Sequence, residues 1–129
     1  MMNALKQYKS VDLQATVQTA SPHKLISMLL SGALEAYAKG KGAAERNDIE
    51  GRANHLNKAM DIVIGLKTSL DMEKGGEVSE NLDRLYDYII LHTLIASRDN
   101  DPEELQKIIE LLLEVKQGWD EMPLEFRNV

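Results

Sequence analysis

Gly75-Gly76-Glu77-Val78-Ser79-Glu80-Asn81-Leu82-Asp83-Arg84-Leu85-Tyr86-Asp87-Tyr88-Ile89-Ile90-Leu91-His92-Thr93-Leu94-Ile95-Ala96 is the stretch whose reading decides the fold. The paired glycines permit a positive φ and are expected to end the helix before them. Beyond them Val78, Leu82, Leu85, Tyr86, Ile89, Thr93 and Ala96 recur at helical spacing and define one apolar face. The opposite face begins polar, with Arg84 and Asp87, and then turns apolar through Tyr88, Leu91, Leu94 and Ile95. An ordinary surface helix keeps its outer side polar along its whole length. A chain this short must either surround such a helix or lend its second face to a partner.

Outward from that helix, the same spacing repeats three times. Ser21-Pro22 is a helix start, because a Ser hydroxyl accepts from orphan N–H groups and Pro suits the first helical position. A helix over 22–45 would carry Leu25, Met28, Leu29, Gly32, Ala33, Ala36 and Gly40 in one stripe, widened by Ile26, Leu30, Leu34 and Tyr37. Its small residues suit close approach of a sister helix, or else the floor of a shallow groove. Asn47-Asp48 breaks that helix and caps the next, expected over 49–72, with Ile49, Ala53, Leu56, Met60, Val63 and Leu70 as its core stripe. Ala59, Ile62 and Leu66 flank that stripe on one side and Ile64 on the other, an apolar arc wider than one neighbour requires.

The helix of the opening stretch is expected over 78–97. Asn100-Asp101-Pro102-Glu103-Glu104 then supplies a cap, a proline at the first position and acids where the helix dipole favours them. The last helix, over 102–121, should pack through Leu105, Ile108, Ile109, Leu112, Val115 and Trp119, and Met122-Pro123 ends it. Four helices of about 20 residues, each about 30 Å long and joined by short breaks, specify an all-α, antiparallel up-down four-helix bundle over 22–121. Residues 1–19 are weakly patterned and read as an accessory helical segment that can come away cheaply. No period-two strand pattern appears.

Composition agrees and narrows the function. The 129 residues fit one domain, and 43% hydrophobic with 28% charged residues is the balance of a folded chain. Cysteine is absent, which removes disulfides, thiolate metal sites and cysteine nucleophiles, and suits the cytosol. The 21 acidic residues outnumber 15 basic ones, for a net charge of −6, and no basic patch offsets it, so nucleic acid is not an expected partner. No apolar run reaches membrane-spanning length and the first residues lack a signal-peptide core, so membrane insertion is not expected either and the reading is cytoplasmic.

Chemistry is hard to find. None of His23, His55 and His92 has a Glu three residues before it, so the di-carboxylate metal sites of bundles are not expected. The serines sit in no nucleophile-elbow frame, and Gly75-Gly76 is too brief to cradle a phosphate. His55-Leu56-Asn57-Lys58-Ala59 faintly resembles the His-x-x-Lys-Gly pattern of histidine phosphotransfer bundles, which makes phosphotransfer through His55 the alternative reading. The expectation is a non-enzyme without metal or cofactor.

A set of ordered motifs then resembles one family. Ala20-Ser21-Pro22-His23-Lys24-Leu25-Ile26, Met28-Leu29, Gly32-Ala33, Lys58-Ala59 with 62–66, Leu70-Asp71, Gly75-Gly76-Glu77, Asn81-Leu82, Leu85-Tyr86-Asp87-Tyr88 and Asn100-Asp101 are similar, in order, to the flagellar export chaperones (FliS). Leu30-Ser31-Gly32 departs from the aromatic-Asp-Gly usual there. The resemblance implies a helical bundle that wraps the disordered C-terminal segment of flagellin around its outside, prevents premature polymerisation, and delivers it to the gate of the flagellar type III export apparatus. It also implies that Leu5 and Tyr8, on the N-terminal segment, dock to the gate. The surplus apolar arc offers a reason for such binding, and the flagellin contact is expected at Ile62, Ile64, Leu66, Tyr86, Ile90 and Leu94. Uncovered surface of this kind leaves monomer and homodimer both open.

Overall fold

A computed structural model describes residues 21–123 and 125 of the chain. Four helices follow one another: α1 (Pro22–Glu45), α2 (Ile49–Thr68), α3 (Met72–Asp99) and α4 (Pro102–Asp120). α1 packs on α2 and α4, α2 on α3, and α3 on α4, so the four close into a ring around one core. Connections of two or three residues force consecutive helices to run antiparallel, and the result is the expected all-α bundle.

Each helix begins where its cap stands. Ser21 Oγ accepts from the Lys24 N–H at 3.1 Å, with Pro22 behind it. Asp48, Asp71 and Asp101 cap α2, α3 and α4 in the same manner, each taking N–H groups of the first turn on its carboxylate. Two of the three breaks use one device: Asn47 (φ 56°) and Asn100 (φ 49°) turn left-handed, and the following Asp caps the next helix. Both turns lie at the same end of the bundle and are tied together. Asn100 Nδ2 donates to Ala44 O at 3.1 Å and to Asn47 Oδ1 at 3.2 Å, while Arg52 Nη1 donates to Asn100 Oδ1 at 2.6 Å.

The other end is clasped by side chains. His23 Nε2 donates to Trp119 O at 2.6 Å and Trp119 Nε1 donates to His23 O at 2.9 Å, with the two rings stacked at 4.8 Å. Ser27 Oγ donates to Asp120 Oδ1 at 2.6 Å, and Lys116 also bonds that carboxylate. The Lys116 bond first, and the Ser27 bond second, hold Asp120 below the ordinary carboxylate range.

The core joins Leu29, Leu30, Ala33 and Tyr37 of α1 to Leu56, Ile62, Val63 and Leu66 of α2, Tyr86, Ile89 and Ala96 of α3, and Leu105, Ile108, Leu112 and Trp119 of α4. Inside it, Thr93 Oγ1 donates to Ile89 O at 2.6 Å and pairs with the Tyr37 hydroxyl at 2.7 Å. Desolvation pushes the Tyr37 phenol well above its usual range and outweighs the Thr93 bond. The stripe of small residues on α1 serves packing at Gly40, where a Cβ would stand 2.5 Å from Leu56 Cδ2.

Two expectations need correction. α2 stops at Thr68, not 72, because Asp71 captures the Glu73 and Lys74 N–H groups and starts α3 there. The glycine break stands where it was expected: Gly76 (φ 51°, ψ −126°) is non-helical and kinks α3 between its short first turns and the long helix that follows. Ile49 and Val78, expected in core stripes, are exposed: Ile49 is the first residue of α2, and Val78 stands two residues past the Gly76 kink, where its neighbour Ser79 is buried instead. The centre of the α2 stripe shifts instead to Leu56, Ala59, Ile62, Val63 and Leu66, because α2 must face both α1 and α3.

Candidate partner-binding surface

The ring of four helices buries the inward face of α3 and leaves its second half apolar on the outside as well. Tyr88, Leu91 and Leu94 are 46%, 55% and 52% exposed. Ile64 of α2 is 44% exposed, and Ile90 is half-buried against the core. Isolated exposed leucines are ordinary on a globular surface; a run of them with tyrosine along one helix is not.

Register puts these residues beside one another. Lys67 of α2 reaches across to Asp83 at 2.9 Å and to Asp87 at 3.5 Å on α3. These pairs, the Asp83 hydrogen bond foremost, hold the Lys67 ammonium above its ordinary value. The helices are antiparallel, so one turn back along α2 and one turn forward along α3 brings Ile64 level with Ile90 and Leu91. Leu94 follows one turn further on the same side. The seam between α2 and α3 therefore has an ion-paired end and an apolar end. On the other flank of α3, Tyr88 stacks on His92 at 3.9 Å, and His92 Nδ1 meets Glu104 of α4 at 2.8 Å.

Of the six residues expected to contact a partner, the structure brings Ile64, Ile90 and Leu94 to this seam. Ile62, Leu66 and Tyr86 are instead fully committed to the core, and burial pushes the Tyr86 phenol up to about 12. Helical spacing separates faces of a helix but does not say which of two apolar faces turns inward. Leu91 and Tyr88, on the same outer face, belong with the exposed set. Leu5 and Tyr8 lie outside the described residues, as do Leu124 and Phe126.

His55 is half-buried on the opposite flank of α2, where it lines a cavity of about 230 Å³ with Gly32, Glu35, Ala36, Lys39, Asn54 and Lys58. The floor is made by Gly32 and Ala36, so part of the small-residue stripe opens to the outside while Gly40 closes on Leu56. Among the described residues no group of three His, Asp or Glu side chains is arranged to hold a metal ion. No described helix is long and apolar enough to cross a membrane.

The described residues thus form an all-α helical bundle with a second, outward apolar face on α3. Comparison with known proteins makes the class specific. Residues 2–125 match the family model described as flagellar protein FliS, and the chain belongs to that family, the flagellar secretion chaperones. It is 40% identical over 129 residues to the flagellar secretion chaperone FliS of Vibrio cholerae, covering 100% of this chain and 95% of that protein. It is 46% identical over 119 residues to FliSB of Pseudomonas aeruginosa, covering 92% and 94%. With FliS of Salmonella typhimurium it shares 37% over 121 residues, 93% and 90% of the two chains.

Proposed function

We propose that this chain is a cytoplasmic, non-enzymatic chaperone that seats the disordered C-terminal segment of flagellin on the α2–α3 seam, keeps it from polymerising, and carries it to the export gate. The observation that supports this most is the outward apolar face of α3, Tyr88, Leu91 and Leu94, continued onto α2 by Ile64. Ordering a disordered segment costs several kcal/mol, about 2–5 or more, so the contact that offsets it must be broad and apolar. An amphipathic turn laid along the seam would bury its own leucines on Ile64, Ile90, Leu91 and Leu94, in the helix-in-groove mode. Ile62, Leu66 and Tyr86 support that surface from beneath. Leu5 and Tyr8 are the gate-docking residues in this reading.

The test is titration of the protein with an isolated flagellin C-terminal peptide. One-to-one binding with a gain of helical ellipticity is expected, and Leu94→Asp with Ile64→Lys should abolish it without unfolding the bundle. Absence of both heat and ellipticity change on mixing removes the reading. Tyr8→Ala should leave binding intact and weaken delivery to the gate; unfolding of that variant would make the segment structural instead.

A further inference from the structure

The apolar outer face of α3 is crossed on a diagonal. Tyr88, Leu91 and Leu94 stand three residues apart, and each step carries the next side chain about 60° round the helix. Leu94 closes the face on the α2 side, Leu91 tops it, and Tyr88 marks its edge toward α4. Tyr88 is exposed, yet one face of its ring is covered. His92, one turn further on, stacks against that face with the ring centres 3.9 Å apart and 27° between the planes. A tyrosine standing alone on a helix surface exchanges between rotamers within nanoseconds. A second ring packed on it favours the one rotamer that keeps the stack.

His92 is itself held in place. Its Nδ1 lies 2.8 Å from Glu104 Oε1 on α4. A carboxylate only accepts, so Nδ1 carries the proton and donates, whichever charge the imidazole has. Glu104 stands in the first turn of α4, where the Asp101 cap takes its backbone N–H at 3.1 Å, and its side chain is 18% exposed. Its second oxygen lies 3.9 Å from Lys107 Nζ. Contacts thus run from a capped helix start, through a carboxylate and an imidazole, to the ring at the edge of the apolar face. We propose that His92 and Glu104 are positioning residues that preset Tyr88 as the aromatic anchor of the partner-binding face. Aromatic anchors carry a large share of interface energy, and one fixed before binding has little freedom left to lose. A rotamer frozen only on binding costs about two- to tenfold in affinity. The identity of the partner as flagellin's segment rests on the function proposed above.

The experiment is a double-mutant cycle on affinity, read by calorimetric titration of the full chain with the flagellin C-terminal peptide. Tyr88→Ala should weaken binding at least about tenfold. Glu104→Leu, which removes the acceptor, and His92→Ala, which removes the stacked ring, should each weaken it about two- to tenfold. Glu104→Gln should stay within about twofold of the parent, because its amide oxygen still accepts from Nδ1–H. In the Tyr88→Ala background, Glu104→Leu and His92→Ala should have no further effect. A merely structural role for the pair would persist in that background. Circular dichroism checks the fold of each variant, and His92→Ala serves if Glu104→Leu does not fold.

A second measurement needs no peptide. Side-chain NMR couplings should place the Tyr88 χ1 in one well in the free parent and average it over several in Glu104→Leu and His92→Ala. A Tyr88 already averaged in the parent overturns the proposal. So do affinity losses that persist without Tyr88, or folded Glu104→Leu and His92→Ala proteins that bind as the parent does; in either case the flagellin reading stands. A peptide that does not bind the parent at all sinks the flagellin reading, and the anchor role falls with it.

Discussion

Thr93→Val tests the packing logic of the bundle at its most buried polar point. Thr93 and Tyr37 are both fully shielded, and their hydroxyls stand 2.7 Å apart. The threonine has one proton, and it goes to Ile89 O at 2.6 Å. The Tyr37 phenol must therefore be the donor to Thr93 Oγ1. Valine removes the acceptor and leaves a buried phenol O–H with no partner, which costs about 1–3 kcal/mol. Tyr37→Phe is the milder change, because Thr93 keeps its own bond to Ile89 O; about 0.5–1.5 kcal/mol is expected from the lost hydrogen bond. The double variant removes both polar groups together, so its cost should fall below the sum of the two singles, with a coupling of about 1 kcal/mol. Urea unfolding followed by far-ultraviolet circular dichroism measures all four proteins, with unchanged m-values as the check that the bundle is preserved. A Thr93→Val protein as stable as the parent, or one less affected than Tyr37→Phe, would refute the assigned direction of the bond.

Three further outcomes follow from packing, backbone and ionisation. Gly40→Ala places a Cβ against Leu56 Cδ2 where 2.5 Å is available, so α1 and α2 must separate or Leu56 must change rotamer, at about 1–3 kcal/mol in denaturant unfolding. Gly76→Ala meets no neighbour, yet its φ of 51° with ψ of −126° is open to glycine and strained for alanine; a loss of about 1–3 kcal/mol is expected, and none would mean that the kink relaxes freely. Burial raises both Tyr37 and Tyr86, the latter to about 12, above the ordinary value of 10.0. The folded state then holds protons that the unfolded chain releases above pH 10. Stability should be fully present below that value and fall as pH rises toward 12, by up to about 1.4 kcal/mol per pH unit for each tyrosine. Chemical denaturation at stepped alkaline pH measures this, and a flat profile would contradict the burial of the two phenols.

Most of the architecture was legible in the order of residues, and the reason is local. Capping depends on one side chain and the three N–H groups after it, so Ser21, Asp48 and Asp101 marked helix starts without knowledge of the fold. Hydrophobic period depends on one helix alone, and short breaks leave antiparallel neighbours as the only compact arrangement. Gly75-Gly76 marked the interruption correctly, because Gly76 takes the positive φ; what went unread was the Asp71 cap, which ends α2 early and starts a short turn before the glycines.

The candidate site was legible only as a surplus. That α2 and α3 carry more apolar arc than a bundle consumes is a property of their residues, and it is what the chain by itself determined. Which residues form the excess was decided by the rotation of each helix against two neighbours, a tertiary quantity. It sent Ile62, Leu66 and Tyr86 inward and left Ile64, Leu91 and Leu94 outside. The clasp of His23 with Trp119 and the pairing of Tyr37 with Thr93 join residues 96 and 56 positions apart, beyond the reach of any helical period. The small cavity on the other flank of α2 likewise exists only because α1 and α2 meet antiparallel, which brings Gly32, Ala36 and Lys39 together with His55 and Lys58. Sequence carries what a helix does alone; the meeting of helices, where burial is shared out among competing faces, belongs to the folded molecule.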